Sequence, residues 1–159
     1  MANDIVWFDS SETGAPALNN AAGSLDAVLY ACLVTGFRTI TLDSVTVSGN
    51  VATCTYSGGH GYSDKRMVDL AGAATGAING RKLINVTGAG TFTFPAPGVA
   101  DGTISGTITA KRSPLGWTRP ASSGNVSIYQ RSDVTATGMK LRVDDSGTGA
   151  ASATGARWR

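Results

Sequence analysis

The chain has 159 residues and a formal net charge of +2, and it contains 21 glycines, 11 acidic residues and a single histidine. A chain of this length can bury one core, or one core with a small satellite. So few acidic and histidine side chains leave little material for acid–base catalysis or for a metal cage. The composition therefore predicts a small, mainly β protein with a structural or binding role.

The charge is unevenly distributed along the chain. Residues 1–38 carry four acids against one base, whereas residues 112–159 carry seven bases against three acids. Complementary ends favour head-to-tail contacts between protein subunits, and no basic cluster is dense enough to predict nucleic-acid binding. The first residues lack the basic and apolar regions of a signal peptide, and no apolar run approaches the roughly 18 residues of a membrane span. We therefore expect no membrane partner.

One helix is predicted in the first third of the chain. Ser24 is the expected N-cap, and Gly36 is the expected stop. Between them, apolar side chains recur with the spacing of one helical stripe, at Leu25, Val28, Leu29, Cys32 and Leu33.

After the helix the apolar period changes to two, which is typical of strands. Hairpins are predicted over residues 39–56, with a turn at residues 48–50, and over residues 82–94. Short strands are predicted at residues 67–70 and 103–110, and the second of these is expected to pair near the first strand. About six short strands within one segment are typical of a small barrel or sandwich.

The rest of the chain predicts a loop over residues 113–120 and strands over residues 126–130 and 139–143. The last strand is expected to face the helix stripe with three apolar side chains, Met139, Leu141 and Val143.

These elements predict a mainly β fold with one α-helix, in which a small β-barrel or sandwich module is inserted into an α+β base. The base comprises residues 1–38 and 112–147, and the inserted module comprises residues 39–111. Residues 148–159, rich in small and polar side chains, are expected to form a flexible C-terminal arm.

His60 is the one imidazole of the chain and lies between two glycines. A general base needs an orienting carboxylate, and a catalytic zinc site needs about three protein ligands. Because Cys32 and Cys54 belong to different elements, neither set assembles convincingly. We interpret His60 as a ring that packs with Tyr62 over the end of the barrel, and both cysteines as buried free thiols.

Two pairs of carboxylates are the other candidates for chemistry. Asp144 and Asp145 could supply oxygens to calcium, but adjacent strand residues point to opposite faces. Asp9 and Glu12 could form a glycosidase pair, but nothing nearby is suited to hold a sugar. We expect Asp144 and Asp145 to serve the turn at a strand end, and Asp9 and Glu12 to serve caps and turns. We assign no catalytic residue, no metal and no cofactor.

Aromatic and basic side chains are the candidate interface residues. Large aromatics in loops commonly anchor protein contacts, although they also serve as carbohydrate platforms. The chain ends on a tryptophan between two arginines, which is expected to dock on a neighbouring subunit. The predicted interface residues are Trp7, Trp117, Arg157, Trp158 and Arg159.

Several stretches resemble a family of bacteriophage virion proteins. The resemblance spans about residues 5–147 and is carried by the segments Trp7-Phe8-Asp9-Ser10, Thr13-Gly14-Ala15-Pro16, Leu18-Asn19-Asn20, Ser113-Pro114-Leu115-Gly116-Trp117 and Leu141-Arg142-Val143-Asp144-Asp145-Ser146-Gly147. The inserted segment, with Gly59-His60-Gly61-Tyr62, is similar to small β-modules of phage tail and capsid-associated proteins. The resemblance implies a virion component made in the host bacterial cytoplasm, with copies of itself and other virion proteins as partners and with no assigned chemistry.

The leading hypothesis is therefore a non-enzymatic virion structural protein that decorates or joins the capsid or tail as a homo-oligomer. The alternative is an adhesion module of a phage tail or fibre that binds a host glycan through aromatics such as Trp117 or Tyr62. An enzyme acting on cell-wall polymers is a third hypothesis, and it has no evident acid–base pair.

Overall fold

The structure is a computed structural model that describes residues 6–133 and 137–147. Within these residues the protein is mainly β, as predicted, with twelve strands in three antiparallel sheets and one short helix. No helix in the described part of the chain has the length and apolar character needed to cross a membrane.

The described chain forms two compact units, here called the sandwich unit and the helical unit. The sandwich unit comprises residues 6–14 and 38–113, and the helical unit comprises residues 15–37 and the described residues from 114 onward. This division differs from the expected one, which placed residues 6–14 with the helix. These residues belong to the sandwich unit because Glu12 is buried between two of its arginines.

The strands of the sandwich unit form two sheets. In chain order they are β1 Phe37–Thr41, β2 Ser44–Ser48, β3 Val51–Thr55, β4 Met67–Ala71, β5 Gly80–Leu83, β6 Asn85–Gly88, β7 Thr91–Pro95, β8 Gly102–Thr103 and β9 Thr109–Arg112. One sheet has the order β1-β9-β4-β5 and the other has the order β6-β7-β3-β2-β8. Their inward-facing side chains share one core, whose members include Val45, Ala52, Val68, Phe92 and Ala110, each at most 1% exposed.

The first predicted hairpin is confirmed over residues 44–55, whereas residues 39–41 belong to β1 in the other sheet. Strands β2 and β3 pair in antiparallel register from Ser48 opposite Val51 to Ser44 opposite Thr55. The turn residues Gly49 and Asn50 have φ angles of 56° and 65°, which is the mirror-image turn that matches the twist of two-residue hairpins. The strand predicted over residues 103–110 is divided between the two sheets: Thr103 ends β8, which pairs with β2. Only its last residues lie beside the first strand, because β9 begins at Thr109 and lies between β1 and β4.

The second predicted hairpin is wrong in its first half. Lys82 belongs to β5, which pairs with β4, whereas the partner of β7 is β6. The chain passes from one sheet to the other at Ile84, which is 1% exposed, while its neighbour Leu83 is 50% exposed. The strand predicted over residues 82–86 is therefore interrupted at Ile84, whose side chain lies in the core.

The helical unit contains helix α1 Ser24–Tyr30, which continues as a π-helical turn over Ala31–Thr35. Its sheet has the strand order β10-β11-β12, with bounds Trp117–Ser123, Val126–Arg131 and Lys140–Asp144. Leu33, Tyr129 and Val143 are its buried apolar residues, and the partly buried side chains packed against them include Leu25, Leu29, Trp117 and Leu141. The predicted contact between the helix stripe and the last strand is thus present.

Two sequence predictions for this unit need correction. Residues 113–120 were expected to form a loop, but β10 begins at Trp117 and includes Pro120 at an irregularity between Thr118 and Ala121. An edge strand tolerates a proline at such a bulge because no ladder hydrogen bond from its nitrogen is needed there. Met139 was expected to face the helix, but it precedes β12 and is 79% exposed.

The helix does not begin as predicted. Its N-cap is Gly23, with φ 86°, and not Ser24. The Ser24 hydroxyl donates to the Asn19 carbonyl oxygen over 2.7 Å. The first backbone N–H groups of the helix instead donate to the carboxylate of Asp145.

Candidate functional site

A buried ion-pair cluster, here called the arginine cradle, holds the N-terminal segment, residues 6–14, on the rest of the sandwich unit. It consists of Arg66 and Arg112 on either side of Glu12. The Nε of Arg66 lies 2.6 Å from Oε1 of Glu12, and the Nε of Arg112 lies 2.6 Å from Oε2. All three side chains are at most 9% exposed, so these charge-assisted hydrogen bonds are shielded from water.

The same two arginines also bind the residues before Glu12. The guanidinium of Arg66 lies 3.1 Å from the centroid of the Trp7 ring, and that of Arg112 lies 5.3 Å from the centroid of the Phe8 ring. Arg112 further donates from Nη2 to the Trp7 carbonyl oxygen over 2.8 Å. Cation–π contacts and hydrogen bonds therefore hold residues 7–12 at both ends.

The cradle also ties the segment to the sheet beneath it. Arg112 is the last residue of β9, and its Nη1 donates to the carbonyl oxygen of Met67, the first residue of β4. The carboxylate of Glu12 lies between two guanidinium groups that are almost completely buried. Such an arrangement is stable only while the carboxylate stays in place, because each buried guanidinium needs its partner.

Asp9 shapes the turn that presents Glu12 to the cradle. Its carboxylate accepts a hydrogen bond from the Ser11 backbone nitrogen over 2.8 Å, and its carbonyl oxygen accepts one from the Glu12 nitrogen over 3.1 Å. The bond from the Ser11 backbone lowers the pKa of Asp9, with a further contribution from the Ser11 side chain. The turn role that the sequence predicted for Asp9 is present, and the Glu12 backbone closes this turn, whereas the Glu12 side chain forms buried ion pairs.

The sequence contains a partial signal for the cradle at the end of β9. Ile108, Ala110 and Arg112 are buried at every second position, so Arg112 continues the inward-facing alternation beyond the strand predicted over residues 103–110. Arg66 and Glu12 lie in loops with no periodic pattern, and nothing local indicates that they are buried.

His60 is the second candidate site, and its ring is 2% exposed. The Nδ1 atom accepts a hydrogen bond from the Tyr62 backbone nitrogen over 3.0 Å. The Nε2 atom therefore carries the proton, and it donates to the Gly88 carbonyl oxygen over 3.0 Å. The ring stacks on Tyr62 at 5.5 Å and meets the edge of Phe92 at 5.3 Å. These contacts agree with the packing role proposed for His60.

Two neighbours complete the surroundings of His60. The Tyr62 hydroxyl lies 2.8 Å from the carbonyl oxygens of Arg38 and Ala110, and burial raises the pKa of this phenol, so it is a hydrogen-bond donor. Arg38 has a positive φ of 53°, and its guanidinium donates to the carbonyl oxygens of His60 and Gly59 over 3.0 and 2.9 Å. A groove of about 380 Å³ lies beside this turn, and the polar atoms named here are committed to backbone partners.

A second, partly buried cluster lies in the helical unit. The Tyr129 hydroxyl donates to Oδ1 of Asp26 over 2.5 Å, and Nη1 of Arg119 lies 3.3 Å from Oδ2 of the same carboxylate. The Arg119 guanidinium also lies 3.6 Å from the centroid of the Tyr30 ring. Burial raises the pKa of Tyr129, and its hydrogen bond to Asp26 adds to this effect. The cluster joins the helix to strands β10 and β11.

The structure places the predicted interface residues in different surroundings. Trp7 is 49% exposed and is held by the cradle, whereas Trp117 is half-buried against the core of the helical unit. Arg157, Trp158 and Arg159 lie outside the described residues. Cys54 is buried, as predicted, whereas Cys32 is only partly buried.

Among residues 6–133 and 137–147, no group of three or more histidine, cysteine or acidic side chains is placed to hold a metal ion. Comparisons of the chain with protein-family models, with curated proteins and with solved structures found no match.

Proposed function

We propose that this chain is a non-enzymatic structural protein of a bacteriophage particle. In this proposal it decorates or joins the capsid or tail through contacts with its own copies and with neighbouring virion proteins. The resemblance of the N-terminal segment, beginning with Trp7-Phe8-Asp9-Ser10, supports the assignment to a particle.

The observation that supports a structural role is that charged and polar side chains join separate segments of the chain. Glu12 joins the N-terminal segment to Arg66, which precedes β4, and to Arg112, which ends β9. Asp26 joins the helix to two further strands. His60 joins its own turn to Gly88. Each group is buried and bound to fixed partners, so it stabilises the fold. A proton transfer or a bound substrate that used the same atoms would break these hydrogen bonds or ion pairs.

The surface offers material for contacts between subunits. Strands β5, β6, β10 and β12 lie at sheet ends, where backbone groups can pair with another chain. On the sandwich unit, an apolar groove of about 330 Å³ is lined by Val51, Leu83, Phe94 and Pro95 among others. Val51 is 43% exposed and Leu83 is 50% exposed, so covering this groove would remove apolar surface from water.

The alternative of a host-glycan-binding module of a phage tail or fibre has less support. A sugar platform needs the free face of an aromatic ring. Trp117 packs against the core of the helical unit, Tyr62 is 5% exposed, and Trp7 carries the Arg66 guanidinium on its ring.

Quantitative mass spectrometry of purified particles of the encoding phage tests the proposal. We expect the chain in the particle, at a copy number comparable with that of a coat, decoration or connecting protein. Glycan-array binding by the purified chain, with only a few copies per particle, would favour the adhesion module. Absence of the chain from purified particles would overturn the proposal.

A further inference from the structure

We propose that the arginine cradle is an exchangeable docking site, which in the assembled protein binds the N-terminal segment of a neighbouring copy of this chain. The N-terminal segment is defined here as residues 6–14. The inference rests on the proposed self-assembly of the chain and names the contact through which copies are joined.

The N-terminal segment is held without being part of a sheet. Residues 6–14 contain no strand or helix. Their contacts with the rest of the sandwich unit include the Glu12 ion pairs, the Trp7 ring stacked on Arg66 and the Trp7 carbonyl oxygen bound by Arg112. A segment held in this way can leave and return without opening a strand ladder.

The connection that follows the segment is suited to such an exchange. Residues 15–22 contain no strand or helix, and residues 17–21 are all exposed. An extended chain covers about 3.3 Å per residue, so a stretched connector of this length reaches more than about 20 Å. Exchange of an identical element between copies is a route to assembly that requires few new contacts, because the element makes the same contacts in either copy.

The chemistry of the cradle selects its occupant. Without Glu12, Arg66 and Arg112 would lose the carboxylate that lies between them, and removing the partner of a buried charge is unfavourable. The occupant must bring one carboxylate for the two guanidinium groups and an aromatic ring five residues earlier, as Glu12 and Trp7 do. A second copy of the chain supplies both groups at the same spacing.

Exchange between copies would reproduce every contact that the segment makes within one chain. The balance between the two arrangements is then set by the connector and by the local concentration of copies. Copies packed on a particle raise that concentration. The acidic N-terminal region and the basic C-terminal region of the sequence also favour head-to-tail contacts.

The first test exchanges the charges of the cradle in full-length chains. Glu12→Arg places a cation against two arginines of its own chain, and the double variant Arg66→Glu with Arg112→Glu places an anion against two glutamates. Each variant repels its own segment, but in a mixed pair both cradles receive a segment of opposite charge. We expect two differently tagged variants to be recovered as a mixed complex when coexpressed, and neither to assemble alone. The control carries all three substitutions in one chain. A soluble control together with no mixed complex would overturn the proposal.

The second test does not depend on the folding of charge variants. The photoreactive residue p-benzoylphenylalanine replaces Trp7 in the full-length chain, and the same residue at position 139 is the control for random collisions. We expect illumination at self-associating concentrations to join position 7 of one copy to the region around Arg66 of another. This product should exceed the position 139 control and increase with concentration. Crosslinks confined to single chains, or a chain that stays monomeric throughout, would overturn the proposal.

The outcomes separate this inference from the proposed function. A chain that is abundant in particles but crosslinks only within itself retains the structural role and loses the exchange. A chain that crosslinks between copies but is missing from particles retains the exchange and loses the virion assignment.

Discussion

The carboxylate of Asp145 caps the helix that begins at Ser24, with its Oδ2 atom 2.8 Å from the backbone nitrogen of Leu25, 120 positions earlier. The same oxygen lies 3.2 Å from the Asp26 nitrogen. The N-cap residue, Gly23, has no side chain to satisfy these donors. The backbone of Gly23 also donates to the Asp145 carbonyl oxygen over 3.0 Å, so the start of the helix is bound to the chain that follows β12.

Removing this cap should loosen the start of the helix. We expect Asp145→Ala to lower the free energy of unfolding by about 1 kcal/mol, the usual contribution of an N-cap side chain. Hydrogen exchange at the Leu25 and Asp26 amides should accelerate at the same time. Asp145→Asn is the matched control, because its side-chain oxygen can still accept both bonds. Equal acceleration in the two variants would contradict the capping role.

The contact between the helix and the sheet should depend on Leu33, which is 8% exposed. We expect Leu33→Ala to cost about 2–5 kcal/mol of unfolding free energy, since it leaves a cavity against Tyr129 and Val143. Met139→Ala removes a side chain of similar size that is 79% exposed, and it should cost less than about 0.5 kcal/mol. Denaturant unfolding followed by circular dichroism measures both. Similar losses for the two variants would contradict the assigned core.

The arginine cradle should be sensitive to the loss of its one carboxylate. We expect Glu12→Gln to lower the free energy of unfolding by about 3–5 kcal/mol, because two buried guanidinium groups lose their charged partner while the shape is kept. Asp9→Asn, in the same turn but exposed, is the control and should have a much smaller effect. A stability of Glu12→Gln close to that of the unmodified chain would show that the cradle contributes little.

Alkaline pH should destabilise the sandwich unit through Cys54. Burial raises the pKa of this thiol from its usual 9.0 to about 12, so above pH 9 it ionises in the unfolded chain before it ionises in the folded protein. The contribution of this thiol to the free energy of unfolding is therefore fully present below pH 9. Above pH 9 the free energy of unfolding decreases by about 1 kcal/mol per pH unit.

Cys54→Ala should therefore lose stability less steeply than the unmodified chain between about pH 9 and about pH 11. Urea unfolding across this range measures the slope. Cys32→Ala is the control for loss of a thiol, because Cys32 is only partly buried. Parallel slopes for the Cys54 variant and the unmodified chain would contradict the prediction.

The elements that the sequence predicted correctly depend on neighbouring residues. The β2–β3 hairpin follows from alternating valines and a Gly49-Asn50 turn, and both signals lie within twelve residues. The helix stripe likewise follows from spacings of three and four residues. The prediction that His60 packs against other rings was based on the lack of metal-ligating side chains near it in the sequence. The Tyr62 and Phe92 rings beside His60 are consistent with this prediction.

The elements that the sequence missed depend on partners that are far apart along the chain. The change of sheet at Ile84 requires two sheets to share one core, and the cap at Gly23 requires Asp145. β10 continues through Pro120 because a neighbouring strand is present to pair with it. None of these partners can be found from a local pattern.

Composition and periodicity by themselves determined that this protein is mainly β, with one helix whose apolar stripe meets a sheet. Only the tertiary structure decided which charged side chains are buried. A carboxylate such as Glu12 can leave water when two guanidinium groups replace its hydration. Arg66 and Arg112 stand 54 and 100 positions away along the chain, so it is folding that brings the three together.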